Sequence, residues 1–507
     1  MKNQYVKLLV LLMSVLMLAV SVAGLVSCGG KKPTTTDTTA GTEEGTTPGS
    51  DEGIDDYKTI LPNATFDGAE VNILVMGSRA WQFIPEESSV DVIQNELIAR
   101  NSFVEEKYDV YLNIETTYEG WNGFHQQCKT DLWSDSAAYD ITSPDYYYQT
   151  ETAGYFMNLA ELDAIHLENP YWVEGWNKSA TINGKIFTAV SYFTLDPISN
   201  ARAICMNNYF AEDLSIDIDE IKELVYNNGW TLEAMQQYMA LASSENGDGV
   251  WDFNDKYGLA YNLWGGRASL WCAGLKLSTI EEDGTITQTF TDSRNVDMFQ
   301  DVYKFYDNAY CYYGGGAFET DSANGDRALF NSGRALFATI ALNQTSEISR
   351  ELDSFSVLPC PKYNTAQADY VTSLTGSAVF GIMKTAKDPV MSATVLEALS
   401  ILTYEDVRPV YYDKGLKLRY SADGDTAKMV DLIVSKINVD FAFINSSNFE
   451  AIADKPFEMI AAQNRNYVSG MKKYVDAFEQ NLENFYDAYS DKTSTDSDTS
   501  ETTSAGE

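Results

Sequence analysis

A chain of 507 residues exceeds the size at which one hydrophobic core keeps growing, which points to two lobes or domains. A formal net charge of −39, from 74 acidic against 35 basic residues, makes nucleic acid and anionic membrane surfaces poor partners. With 44% apolar and 13% aromatic side chains, the chain is not disordered overall.

The two histidines, His125 and His166, stand in no ligand spacing, and no C-x-x-C occurs, so zinc sites and histidine triads find no support. The six cysteines are Cys28, Cys128, Cys205, Cys272, Cys311 and Cys360. Without Cys28 they are five, with no tight spacing and an odd count, so no disulfide framework is indicated. One incidental pair stays open.

At the N-terminus, Lys2 and Lys7 precede the apolar run LLVLLMSVLMLAVSVAGLV, the pattern of an export signal. The run is also long enough for a marginal membrane span. Leu25-Val26-Ser27-Cys28 decides between the two readings, because it resembles the bacterial lipobox. That resemblance implies a lipoprotein signal peptide over 1–27, cleavage before Cys28 and lipid attachment to its sulfur. Two or more acyl chains (palmitate among them) hold a protein stably, at ~0.8 kcal/mol per buried CH₂. Residues 28–56 and 490–507 carry almost no large apolar side chains and read as a tether and a tail.

From Glu70 to Met76, EVNILVM reads as a buried strand, and Val90, Ile93, Leu97 and Val104 then mark one face of a helix. Val110, Leu112 and Ile114 alternate in a second strand, completing a βαβ unit of a parallel sheet. YDITSPDYYY reads as a strand entering a loop, and NGKIFTAVSYF and NARAICMNNYF as strands around a connection. Thr231 caps the helix WTLEAMQQYMALA, and Val296, Phe299, Val302 and Tyr306 stripe another. FSVLPCP is a short strand, and Asp388-Pro389 opens a helix ending near Leu402. Segments 426–439 and 456–489 read as helical. The class is α/β.

The order of these blocks resembles the extracellular solute-binding proteins of carbohydrate ABC importers, the maltose-binding-protein-like group. VNILVMGS, YDITSPDYYY…GYFMNLAEL, INGKIFTAV, ICMNNYF, GWTLEAM, FNSGRALFATIA, FSVLPCP and GSAVFGIMKTAKDP carry the likeness. Two departures are the absence of Pro after Val190 and the transposed Trp and Thr at 230–231. The resemblance implies a two-lobe periplasmic-binding-protein-like fold of type II, each lobe a mainly parallel sheet flanked by helices and joined by crossover hinge segments. Lobe 1 would comprise residues 57–202 and 375–425, and lobe 2 residues 203–374 and 426–489. Crossings would fall near Ala201–Met206, Thr372–Gly376 and Ser421–Asp425.

A sugar cleft needs aromatic faces for pyranose CH groups and fixed polar groups for hydroxyls. The resemblance places Arg79, Trp81, Asp145, Tyr146, Tyr147, Asn200, Arg202, Trp264, Arg267 and Asn343 around that cleft. SSENGDGVWDFNDKYG resembles a calcium loop, with Asn246, Asp248, Asp252 and Asp255 as weak ligand candidates, although Ser244 opens it and Asp255 replaces the long Glu. No other cofactor is indicated.

The leading expectation is a monomeric, lipid-anchored binding protein on the extracellular face of a bacterial cytoplasmic membrane, passing a carbohydrate, an oligosaccharide by expectation, to an ABC permease without breaking a bond. The alternatives are a surface glycoside-acting enzyme, which needs two carboxyls roughly 5–10 Å apart across the cleft, and an adhesion lipoprotein with no small ligand.

Overall fold

The computed structural model describes residues 56–86, 91–117, 120–144, 153–315, 323–374, 376–416 and 426–490. Strand β1 (Ala69–Met76) is the apolar run near the N-terminus, with Val71, Ile73, Leu74 and Val75 fully buried. A strand buried on both faces needs neighbours on both edges. β1 pairs in parallel with β2 (Val110–Thr117), Ala69 opposite Val110 and Met76 opposite Thr117, and with the short β3 (Ile141–Thr142) on its other side. Helix α1 (Val92–Tyr108) joins β1 to β2, capped by Asp91, whose Oδ1 accepts the Ile93 N–H at 2.8 Å. Ile93, Leu97 and Val104 are buried on its inner face, as their spacing predicts; Val90 lies outside the described residues. β2 is the outer strand, so Leu112 and Ile114 are only half-buried. Helix α2 (Gly120–Ser134) follows it.

NGKIFTAVSYF differs from its expected strand. It follows helix α3 (Glu174–Ala180) and makes only single bridges, including Trp172 to Ser191 and Ala189 to Phe380. Among the described residues, no strand runs beside it for a ladder. The Asn177 side chain instead takes both backbone groups of Val190, at 2.8 and 3.1 Å. Buried polar backbone is thereby satisfied one residue at a time.

After the short helix α4 (Asp196–Ser199), the chain enters the second sheet through β4 (Arg202–Asn207). Helix α5 (Leu232–Ala242), capped by Thr231, precedes β5 (Tyr257–Tyr261), and helix α6 (Leu263–Cys272) leaves that strand. A separate hairpin, β6 (Ser278–Ile280) with β7 (Ile286–Gln288), comes next, then β8 (Cys311–Tyr313), helix α7 (Asp326–Asn331), β9 (Ala335–Ala341) and β10 (Phe355–Pro359). Their order is β10-β4-β9-β5-β8. β5 is parallel to β8 and β9, whereas β4 is antiparallel to β9 and β10, so this sheet is more mixed than the first.

The chain then returns. β11 (Gly381–Ile382) pairs antiparallel with β3 and completes the order β11-β3-β1-β2. Helix α8 (Pro389–Leu402) opens as expected, with the Asp388 carboxylate accepting the N–H of Val390 and Met391 at 3.1 and 3.0 Å. It does not stop at Leu402. Helical backbone continues to Gly415 through two wide π-helical stretches, Thr403–Val407 and Tyr411–Gly415. Between them sits Pro409, which has no N–H to donate; widened turns are how a helix absorbs such a gap.

Helix α9 (Thr426–Ser435) is shorter than the expected 426–439, because Ile437 leaves it to bridge Thr372. The segment 456–489 is broken into Lys455–Ala461, Tyr467–Lys472 and helix α10 (Val475–Tyr489).

Two lobes result, one on each sheet. Ala201 bridges Leu374, the Arg202 N–H reaches the Ser373 carbonyl at 3.0 Å, and the Asn200 amide reaches the Gly376 carbonyl at 3.0 Å, so two crossing segments lie side by side. The Thr345 hydroxyl also donates to the Leu416 carbonyl at 2.8 Å; the expected crossing at Ser421–Asp425 lies outside the described residues.

A further set of contacts clasps the lobes away from these crossings. The Ser179 hydroxyl donates to the Val439 carbonyl at 2.6 Å, and the Val439 N–H reaches Gly175 at 3.3 Å. Tyr489, ending α10, packs on Phe187 at 5.0 Å between ring centroids and accepts the Lys185 ammonium at 3.0 Å. Among the described residues, no helix is long and apolar enough to cross a membrane.

Candidate functional site

Side chains at the carboxyl ends of β1, β5 and β9 converge on the crossings. Beyond β1, residues Gly77–Gln82 turn in a short 3-10 helix. Its inward residue Gln82 is buried, donates to Asp196 Oδ1 at 2.9 Å and accepts from the Thr194 hydroxyl and the Leu195 N–H at 2.8 and 2.6 Å. Arg79 Nε meets Asp196 Oδ2 at 2.8 Å, and the Ala378 N–H reaches the same oxygen at 2.8 Å. One buried carboxylate thus joins the β1 turn, the entry to the first crossing and the return segment.

Trp81 on the same turn is 40% exposed, and its ring lies against Tyr411 at 6.2 Å with a tilt of 31°. Tyr411 itself is buried; burial, with the Asp196 charge beside it, holds its phenol above the ordinary tyrosine range. Trp81 therefore offers an open aromatic face on a fixed support. A sugar's apolar CH face could stack there.

On the second lobe, Asn262 caps α6. Its Oδ1 accepts the Gly265 N–H at 3.0 Å, and its amide donates to Asp326 Oδ2 at 2.9 Å. Gly265 is required here, because a Cβ would stand 1.8 Å from Thr339 Oγ1 on β9. This close approach sets Trp264, half-buried, at the start of α6. Trp264, Arg202 and Arg267 line a small crevice against Ser373, Leu374 and Phe443. Arg267 is buried, ion-paired to Asp454 at 2.6 Å and stacked over Phe443 and Trp264 at 4.7 and 5.2 Å. Arg202 is buried too, and desolvation, with Arg267 close by, lowers its guanidinium pKa to about 10. Asp326 is 3% exposed, and burial pushes its carboxyl up to about 6.

The structure therefore brings Asn200, Arg202, Trp264 and Arg267 to the crossings and sets Arg79 and Trp81 beside them. Asn343 is exposed on the turn after β9, next to Leu342, whose N–H reaches the Ala201 carbonyl at 3.0 Å. Asp145, Tyr146 and Tyr147 lie outside the described residues, as does Cys28. Sequence reasoning missed Tyr411, Gln82 and Asp196. Tyr411 sits beyond the expected end of α8, and only the doubled tyrosine before Asp413-Lys414-Gly415 hinted at it.

In the Asn246–Asp255 loop the carboxylates face the loop's own amides. Asp255 accepts the N–H of Asn246 and Asp252 at 2.8 and 2.7 Å, and Asp248 accepts that of Val250 at 2.9 Å. Among the described residues, no cluster of three or more His, Cys, Asp or Glu could hold a metal ion. Two roomier grooves lie apart from Trp81. One of about 890 Å³ runs between the lobes past Tyr192, Arg408 and Lys436, and one of about 870 Å³ passes Lys185 and Phe187.

No protein-family model matches this sequence, and no curated protein matches it. Solved structures do match over nearly their whole length. MalE, the sugar-binding protein of Xanthomonas citri, superposes with a TM-score of 0.56 at 11% identity, covering 84% of this chain and 100% of its own. A sugar transporter from Rhizobium etli in an open conformation gives 0.54 at 13% identity, covering 81% and 99%. The galacto-N-biose-/lacto-N-biose I-binding protein of the Bifidobacterium longum ABC transporter, in complex with lacto-N-biose, gives 0.53 at 14% identity, covering 83% and 98%. The chain thus has the two-lobe α/β fold of the sugar-binding ABC-transporter solute-binding proteins.

Proposed function

We propose that this chain is a membrane-anchored extracellular solute-binding protein that captures a carbohydrate, an oligosaccharide in our reading, and delivers it to an ABC permease. The observation that carries the reading is Trp81: a large, partly exposed aromatic ring held against Tyr411, on the turn whose Arg79 and Gln82 meet Asp196 at the entry to the paired crossing segments. The fold shared with sugar-binding neighbours supports it, and the lipobox-like LVSC supports the anchor.

In this reading the lobes close about the crossings, and ligand shifts the open–closed balance only by its differential affinity for the two states. Trp81 and Trp264 stack on the sugar while Asn200 and Asn343 meet hydroxyls. Arg79, Arg202 and Arg267 hold the cleft floor in place. The ligand leaves chemically unaltered.

Thermal unfolding of the protein against an oligosaccharide panel tests this. A true ligand at a hundred times its Kd adds about 2.7 kcal/mol of stability. A panel with no stabilising member, or one that the protein hydrolyses, contradicts it.

A further inference from the structure

The groove past Tyr192, Arg408 and Lys436 is separated from the crevice of Trp264 and Arg202 by one crossing segment. Asp369, Tyr370 and Val371 line the groove, whereas Ser373 and Leu374, further along the same segment, line the crevice. Thr372 between them is fixed on the groove side: its N–H reaches the Lys436 carbonyl at 2.7 Å, and its carbonyl accepts the Asn438 N–H at 3.1 Å. The first lobe supplies one wall, where Tyr404, Arg408 and Tyr412 follow one another along the π-helical continuation of α8. Side chains at i and i+4 share a helix face, and π-helical turns recur at functional sites. The Arg408 guanidinium is caged by rings, its Cζ 3.7 Å from the centroid of Tyr404 and 5.9 Å from those of Tyr192 and Tyr412. Its Nε donates to the Tyr404 carbonyl at 3.1 Å.

The charge of this groove runs against that of the chain. Acidic residues outnumber basic ones by 74 to 35 overall, yet five cations and three carboxylates line the groove. Two of the carboxylates are already taken, Glu174 by Lys178 and Asp369 by Lys436 at 2.6 Å. The third, Asp431, acts on Arg408 electrostatically without forming an ion pair. Lys276 and Arg294, both exposed on the second-lobe wall, and Arg408 on the first have no ion-pair partner among the described residues. The negative field of the rest of the chain is screened beyond roughly 10 Å in 0.1 M salt, so this local excess decides what binds. A guanidinium held in a fixed plane suits a carboxylate or phosphate, and a groove of about 890 Å³ has room for an organic ligand rather than a bare ion. We propose that the groove is a second ligand site for a small organic anion, a carboxylate or phosphate ester, with Arg408 as its anchor and Lys276 and Arg294 adding charge from the second lobe. Tyr404 and Tyr412 flank the carbon skeleton.

Calorimetric titration of the purified protein at low salt with glucuronate, glycerol phosphate, inorganic phosphate and neutral glucose tests this. One or both organic anions should bind saturably and more tightly than inorganic phosphate, glucose should not compete, and added salt should weaken the binding. Arg408→Gln should weaken it at least about tenfold. Lys276→Gln combined with Arg294→Gln, two exposed positions whose loss leaves the fold intact by thermal unfolding, should weaken it several-fold. Trp81→Ala should bind the anion as wild type does. The proposal is overturned if neither organic anion saturates, or if inorganic phosphate binds as tightly as the better of them. Wild-type anion binding by the folded double variant also overturns it, as does loss of binding in Trp81→Ala, which would put the anion in the sugar cleft.

Discussion

Arg79 Nε and Asp196 Oδ2 lie 2.8 Å apart, with the carboxylate buried and the arginine nearly so. Around that pair Gln82 and the Ala378 N–H complete the shell of the carboxylate, so each charge is met by specific partners. Removing one partner of such a pair strands the other. Asp196→Ala should lower unfolding stability by about 3–5 kcal/mol, seen as an earlier urea midpoint. Arg79→Ala should cost less, since two donors to Asp196 remain. Equal losses would contradict this arrangement.

Trp81→Ala should separate binding from stability. The ring is 40% exposed, so its removal should cost at most about 1 kcal/mol of folding while weakening sugar affinity roughly 10- to 100-fold. Calorimetric titration beside thermal unfolding reads both. A variant that binds as tightly as wild type removes Trp81 from the site.

Asp326 makes stability depend on pH. Burial raises its folded pKa to about 6 from an ordinary value of 3.8. A raised carboxyl favours folding fully below its unfolded pKa and loses that contribution as pH climbs through the folded one. The window is therefore pH 4 to 6, and the loss is up to about 3 kcal/mol on crossing it. Asp326→Asn should flatten the stability–pH curve across that interval relative to wild type and be the more stable protein at pH 7. A parallel pair of curves would place the titration elsewhere.

How much of this was legible in the sequence follows from range. The β1–α1–β2 unit and the α8 cap were readable because strand alternation, helical spacing and the Asp-Pro start act over a few residues. NGKIFTAVSYF misled because its apolar run is buried without a strand beside it among the described residues. Asp196 and Tyr411 were invisible for a related reason: their partners, Arg79 and Trp81, lie more than a hundred residues away in sequence. The π-helical continuation that carries Tyr411 past Pro409 has no short-range signature, since proline ordinarily argues for a stop.

The clasp between α3 and the 437–439 segment was likewise unforeseen, and it can be opened. A Cβ on Gly175 would stand 1.8 Å from the Ile437 carbonyl oxygen, a backbone atom with little room to give. Gly175→Ala should destabilise by about 1–3 kcal/mol and, by loosening a contact between lobes, change sugar affinity as well. Wild-type stability and affinity together would show that the clasp does not constrain the lobes.

Chelation should leave the protein unmoved, given that the Asn246–Asp255 carboxylates already serve the loop's own N–H groups. Unfolding midpoints with calcium and with a chelator should coincide. A clear upward shift with calcium would restore the loop as an ion site.

The most direct test of the central claim is calorimetric titration of the purified protein with an oligosaccharide panel, followed by chromatography of the recovered sugar. Saturable binding of at least one sugar, lost in Trp81→Ala and returning the sugar intact, is the predicted result. No binding across the panel, or shortened sugars after incubation, would contradict it.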